Sequence, residues 1–294
     1  MIVLMEQISL LLVLMFFGAS FGSFAVAQVW RLRANQLATD KKLNKSERIE
    51  RDQLARLNQK PLASDRSRCL HCDYVLKWYD LVPIFSWLRL GGRCRECRRP
   101  IGYLEIVAEI TVGLFFVLSY LLWPQPLGDF FGITQFILWL MAGVGLTILF
   151  IYDLKWMLLP DRANFFVILL GLISSIIALI VASDQLETFF SIIGSLLIMS
   201  GIYLMIYIYS KGQWIGFGDI KLGIGLGLFL ADWRLAFIAL FLANLIGCMV
   251  VLPALLTNNL KRNSHISFGP LMILGFVIAE LVGIYIIDWY LGLI

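Results

Sequence analysis

The run ITQFILWLMAGVGLTILFIYD occupies Ile133–Asp153 and holds no ionisable group until its last residue. As a helix rising 1.5 Å per residue, the stretch before that aspartate reaches about 30 Å, the thickness of a bilayer's hydrocarbon core. A carboxylate closing such a run sits where hydrocarbon gives way to water, a costly place for a charge. Outward from this run, seven further apolar stretches recur: Ile8–Val29, Ile101–Trp123, Asn164–Val181, Thr188–Tyr209, Ile220–Leu230, Leu235–Leu256 and Leu271–Leu291. Ile220–Leu230 is short and glycine-rich, which suits a helix packed tightly inside the bundle or one joined to its neighbour through a tight outer turn. The chain is 60% hydrophobic and only 15% charged, where a soluble domain carries roughly 25% charged residues. These features predict an all-α integral membrane protein, a bundle of about eight transmembrane helices. A cleaved signal peptide does not fit, because Met1–Gln7 has no basic residue and the apolar run after it is long enough to span.

The net charge of +4 conceals an uneven distribution, with 17 of the 24 Lys and Arg lying between Arg31 and Arg99. So dense a basic patch can mark a nucleic-acid site. Beside membrane spans, however, basic residues first of all mark the cytoplasmic side, and no nucleic-acid partner is expected. With Arg31–Pro100 cytoplasmic and eight spans, both termini lie outside. Lys155, Arg162, Lys211, Lys261 and Arg262 then fall in inner loops, Lys221 at the inner end of its span, and only Arg234 outside. The expected organisation is a first transmembrane helix (1–30), a cytoplasmic basic region (31–100) and a seven-helix membrane core (101–294). Asn35–Lys60 reads as a solvated helix, with Glu47 and Arg51 at the i,i+4 spacing of a helical ion pair. Pro61–Arg68 reads as a linker. Gly18, Gly22 and Ser23 in the first span are small enough to let another helix approach closely.

Cys69-Leu-His-Cys72 and Cys94-Arg-Glu-Cys97 form two CxxC knuckles separated by 21 residues. Two such knuckles complete a tetrahedral four-thiolate site, giving a small cytoplasmic four-cysteine zinc-binding module over 69–97. Thiols stay reduced in the cytoplasm, which disfavours disulfides. Zinc is the favoured occupant, with an iron–sulfur centre or a redox dithiol as alternatives. Four thiolates leave no open position, so this zinc is structural. His71 can replace a cysteine but reads as a surface residue, and Cys248 reads as packing within a span.

Three acids sit where spans end. Asp153 opens DLKWMLLPD, Asp161 closes it, and Asp219 follows Gly216-Phe217-Gly218 ahead of the short span. In the topology above all three converge on one leaflet. Two carboxylates held close together share a proton, so one can deprotonate water while the other protonates a scissile carbonyl or leaving amine. That is aspartic-protease chemistry. Gly216 and Gly218 would let a substrate backbone approach Asp219. The blander readings are anchoring acids paired with Lys155, Arg162 or Lys221, or a coupling-ion site in a transporter. Transport predicts acids near mid-span on several helices, whereas these gather at one side.

DLKWMLLPD and GFGD resemble the paired aspartate motifs of the prepilin peptidases (type IV leader peptidases), within the wider GxGD membrane proteases. Gly22-Ser23-Phe24 with Arg31-Leu32 resembles that family's N-terminal signature. Arg68 through Cys97, with Trp78–Pro83 and Ser86-Trp87-Leu88, resembles its cytoplasmic zinc domain, and Phe268-Gly269-Pro270 the FGP before its last span. Where the family often carries Arg-Tyr-Pro, this chain reads Leu104-Glu105-Ile106, and Asn35–Lys60 carries no family motif. The resemblance implies a catalytic pair of Asp153 and Asp219 in an enzyme of the inner (cytoplasmic) membrane. Asp161, Gly216, Gly218 and Lys221 would support that pair. The implied substrates are type IV prepilins and pseudopilins: a basic leader, a glycine before the cut, then a hydrophobic helix lying in membrane lipid. It also implies a second activity, N-methylation of the new terminus by S-adenosylmethionine, involving the cysteine domain and Glu109, with a peptidase that does not methylate as the alternative.

Overall fold

The computed structural model describes residues 2–58, 66–256 and 267–292. The predicted inner-loop cations Lys261 and Arg262, and most of the predicted linker, lie outside these residues. The described residues are helical, with two isolated β-bridges and no strand. Among the described residues, seven helices are long and apolar enough to cross a membrane, so the chain is a multi-pass membrane protein. The chain divides into two compact units, up to Leu118 and from Ser119.

In the first unit, α1 (Ile2–Thr39) does not stop at the predicted membrane boundary but continues three turns into the polar region. A second helix, α2 (Lys45–Leu54), follows and is capped by Asn44, whose side chain accepts from the Glu47 N–H. Leu54 packs with Ala34 and Leu37 in a small core between the two helices. The expected Glu47–Arg51 pair is not what forms. Glu47 and Glu50 turn instead to the buried Arg33, at 3.9 and 2.8 Å, and Arg51 pairs with its neighbour Asp52. A buried guanidinium demands charge partners more strongly than a solvated one. α1 also meets α4 (Leu104–Leu122) through its small residues. A Cβ on Gly22 would lie 2.5 Å from the Ala108 carbonyl oxygen, so only glycine permits this approach. Between them lies α3 (Phe85–Leu90).

The second unit contains α5 (Phe130–Trp156), α6 (Asp161–Val181), the rod of α7 (Gln185–Leu196) and α8 (Ile202–Ser210), then α9 (Phe217–Leu230), α10 (Trp233–Leu256) and α11 (Gly269–Leu291). A π-helical turn at Leu197–Gly201 joins α7 to α8. The short predicted span is α9, whose 14 residues reach only about 21 Å. It is shorter than a lipid-facing span, and most of it packs against other helices instead of lipid. Ile220, Leu222 and Gly225 through Leu230 are buried, as suits a helix that is apolar on every side beyond Lys221. Trp139 of α5, Phe229 of α9 and Phe276 of α11 meet at ring-centroid distances of 5.5–6.0 Å and fix these three helices together. Cys248 departs from expectation: it is exposed on α10, on the face an apolar thiol can present to lipid.

Candidate active site and metal centre

Asp153 lies in the last turn of α5 and is 5% exposed. The helix ends four residues later because Met157 takes a left-handed conformation (φ 52°). Two donors from far along the chain reach the Asp153 carboxylate. The Ser267 hydroxyl and the Gly269 N–H donate to Oδ2 at 2.5 and 3.1 Å. A Cβ on Gly269 would stand 2.6 Å from that oxygen, so the Phe268-Gly269-Pro270 turn is a seat for the aspartate. Phe268 stacks edge-on with the buried Tyr203 at 5.4 Å.

Asp219 is the third residue of α9, where the helix dipole favours a negative charge. Its Oδ2 accepts from the Gly216 N–H at 3.3 Å, which caps the helix. Asp153 and Asp219 stand within electrostatic reach of each other, and Tyr203 is within reach of Asp219. Leu159 lies between the two motifs. A Cβ on Gly218 would meet Leu159 Cβ at 3.0 Å, and one on Gly269 would meet its Cδ2 at 3.4 Å. The DLKWMLLPD loop, the GFGD turn and the FGP turn therefore converge at one end of this unit.

Asp161, 76% exposed, receives a 2.6 Å hydrogen bond from Lys221, which ties the start of α6 to the start of α9. The buried Asn164 adds a bond from Nδ2 to the Gly218 carbonyl at 3.4 Å. An ion pair this exposed stabilises by no more than about 1 kcal/mol. Lys221→Ala should accordingly leave the thermal midpoint in detergent almost unchanged, while any loss in turnover reports on loop position.

Sequence reasoning named the two aspartates and missed Ser267, Tyr203 and Asn164. A serine before the FGP turn carries no spacing signal that links it to a residue 114 positions earlier. A tyrosine in an apolar run reads as core. Ser267→Ala removes one of two donors to a charged acceptor, a bond worth about 1.5–3 kcal/mol. The expected result is a turnover roughly tenfold lower with KM little changed, read from initial rates.

In the first unit the four thiols form a built site. Cys69, Cys72, Cys94 and Cys97 place their sulfurs within 4.8 Å of one another. The two knuckles repeat one design. In each, the first cysteine N–H donates to the carbonyl five residues on, Cys69 to Tyr74 at 3.0 Å and Cys94 to Arg99 at 2.9 Å. In each, the residue after the second cysteine is left-handed, Asp73 at φ 62° and Arg98 at φ 57°. Sγ–Sγ distances are 3.9 Å for Cys69–Cys97 and 3.8 Å for Cys72–Cys94. Zinc–sulfur bonds of about 2.3 Å give a tetrahedron with edges of about 3.8 Å, so the shell fits zinc and is too wide for disulfides. Burial pushes the Cys69 thiol up to about 12. Burial acts on Cys94 too, but N–H groups of Cys97 and Glu96 overcome it and bring that thiol down to about 7. His71 is exposed and stands outside the group. Asp80, nearly buried, clasps both knuckles, accepting from Arg95 at 2.7 Å and the Tyr74 hydroxyl at 3.4 Å.

A cavity opens beside the metal shell. Its walls include Ser23, Trp30 and Arg31 of α1, Arg68 and Arg95 of the knuckles, and Glu105 and Glu109 of α4. Glu109 is buried, accepts the Ile84 N–H at 2.6 Å and also engages Ser23.

Residues 16–123 match the family model of the bacterial peptidase A24 N-terminal domain, and residues 139–252 match that of the type IV leader peptidase family. A prepilin leader peptidase/N-methyltransferase of Aeromonas hydrophila is 30% identical over 229 residues, covering 77% of this chain and 74% of its own. One from Legionella pneumophila is 28% identical, covering 77% and 76%. A type 4 prepilin-like proteins leader peptide-processing enzyme of Escherichia coli is 30% identical, covering 73% and 74%. No solved structure matches.

Proposed function

This chain belongs to the type IV leader peptidase family, and on that premise we propose that it is a membrane aspartyl endopeptidase that removes the leader from type IV prepilins and pseudopilins and then methylates the new N-terminus. The observation that carries the first half is the convergence of Asp153 and Asp219, each held by backbone N–H groups at the end of a helix. Two carboxylates so placed hold one proton between them. The ionised member takes a proton from water, whose oxygen attacks the carbonyl carbon on the leader side. The protonated member supplies the proton that the departing amine needs. Gly216 and Gly218 leave room for the substrate backbone beside Asp219, and the Asp161–Lys221 pair holds the loop.

For the second half, the cavity beside the cysteine shell offers aromatic, cationic and acidic walls to S-adenosylmethionine. There the amine's lone pair would displace the thioether from the methyl carbon, and the amine would shed one proton, with Glu105 or Glu109 within the same walls to receive it. Zinc held by the four cysteines would keep those walls in place and take no part in either bond change. The basic residues of the inner loops support a cytoplasmic position for the aspartates and the cysteine module in the inner membrane, with both termini outside. The test is incubation of the enzyme with a pilin-like precursor, followed by mass spectrometry. Cleavage after the glycine, with one methyl added only when S-adenosylmethionine is present, is the expected product. A precursor that stays intact with the enzyme folded would overturn the reading.

A further inference from the structure

Between the two cysteine knuckles the chain exposes what a water-soluble insertion hides. Trp78 is 79% exposed, and Phe85 and Leu88 are each 61% exposed. Phe85 and Leu88 lie three apart on α3, on one face with the exposed Arg89, and exposed Lys77 precedes Trp78. Apolar patches of this kind mark a surface that meets something.

The depth of this segment says what it meets. Helix α4 has 19 residues, about 28 Å, so it needs nearly its whole length to cross about 30 Å of hydrocarbon. Glu109 is five residues in from Leu104, or about 7 Å below the membrane boundary. Its carboxylate receives the N–H of Ile84 at 2.6 Å, and a helical side chain leans toward its own N-terminus, so Ile84 lies between that depth and the boundary. The backbone there is bent to make the bond. Ile84 has φ 62° and ψ −52°, and the Phe85 N–H closes a three-residue turn onto the Pro83 carbonyl at 2.5 Å. A β-branched residue resists positive φ, and turns of this form are rare and strained. Strain persists only where surrounding contacts enforce it, and here the enforcing contact is a carboxylate inside a span. On the other side, Trp87 Nε1 donates to the Gly102 carbonyl at 3.0 Å and its ring meets Tyr103 at 5.7 Å. Thus α3 is fastened to the residues at which α4 enters the bilayer. On α4 itself Val107 and Leu114 are also exposed, as a lipid-facing side requires.

We propose that Trp78–Arg89 is a membrane-interface wedge, with Trp78, Phe85 and Leu88 seated at the headgroup–acyl boundary and Lys77 and Arg89 directed to lipid phosphates. Aromatic rings with flanking cations suit that boundary. The wedge, latched by Glu109, keeps the cysteine module and its cavity at the level of the bilayer surface instead of free in the cytoplasm. This inference rests on α4 crossing the membrane and not on the catalytic reading.

The test places the photo-crosslinking residue p-benzoylphenylalanine singly at Trp78, Phe85 and Leu88 of the full chain in nanodiscs of phosphatidylethanolamine and phosphatidylglycerol. Leu114 on the lipid-facing side of α4 is the positive control, and exposed Glu96 in the second knuckle is the negative one. A zinc content of one per chain certifies each variant as folded. The expected result is at least tenfold more lipid adduct at Phe85 and Leu88 than at Glu96, approaching the yield at Leu114. Lipid adducts at Leu114 alone would overturn the wedge. So would adducts at Phe85 and Leu88 joined to a second copy of the chain or to a pilin-like precursor.

Discussion

Asp153→Ala and Asp219→Ala each lower cleavage of a pilin-like precursor by at least about a thousandfold, measured as initial rate in detergent or proteoliposomes. General acid and general base catalysis are each worth about 10²–10⁴. Here one proton serves both roles, so loss of either carboxylate disables the other. For the same reason the double variant should be no slower than either single one, as for any groups that act as a unit. Folding is not expected to follow activity. Asp153→Asn and Asp219→Asn each remove one ionisable group from the pair while keeping an oxygen for the Gly269 and Gly216 N–H groups. Their thermal midpoints should match or exceed that of the wild type. Cleavage near the wild-type rate in either alanine variant would make the pair structural and remove the ground for a protease.

The two aspartates could be singled out because each carries a local signature: an apolar run ending in a carboxylate, and a carboxylate after two glycines. The cysteine shell was legible for the same reason, since two knuckles of fixed spacing carry their own geometry. The features that escaped depend on contacts remote in sequence. Asp153 takes its donors from Ser267 and Gly269, and periodicity holds no record of which loop folds over which helix end. Glu47 has a good helical partner four residues on, yet it turns to Arg33 because α1 runs past the membrane and buries that guanidinium. Local propensity counts neighbours, whereas burial selects partners. The short span was recognised as unusual from its glycines. Its packing inside the bundle was legible from the same glycines, whereas the residues that close around it, among them the Trp139–Phe229–Phe276 cluster, were not. The strain at Ile84 had no local sign, because isoleucine is among the residues least suited to that turn.

Cys72→Ser, or metal removal by chelation, should abolish methyl transfer while leaving leader cleavage largely intact. Around the four cysteines the module from Arg68 to Pro100 has little apolar core, although Glu109 and Gly102 fasten the segment between the knuckles. It contains two isolated bridges and no ladder, and its buried residues are few, chiefly Cys94, Gly92 and Asp80. Structural zinc in such sites contributes about 10–16 kcal/mol to folding, as much as the whole stability of a typical domain. Without it the Asp80 clasp joins two knuckles that have lost their centre, and the cavity loses the wall formed by Arg68 and Arg95. The membrane unit from Ser119 onward holds both aspartates and has its own aromatic core, so proteolysis should remain. Acid must act in the same direction as the chelator. Zinc binding displaces thiol protons, so protons compete more strongly as pH falls. A chelator should therefore strip the metal faster at pH 6 than at pH 8, with methyl transfer lost in step with metal content and cleavage not. If both activities fell together with the metal, the cysteine module would also support the peptidase. If neither fell, the four thiols would not be what shapes the cavity.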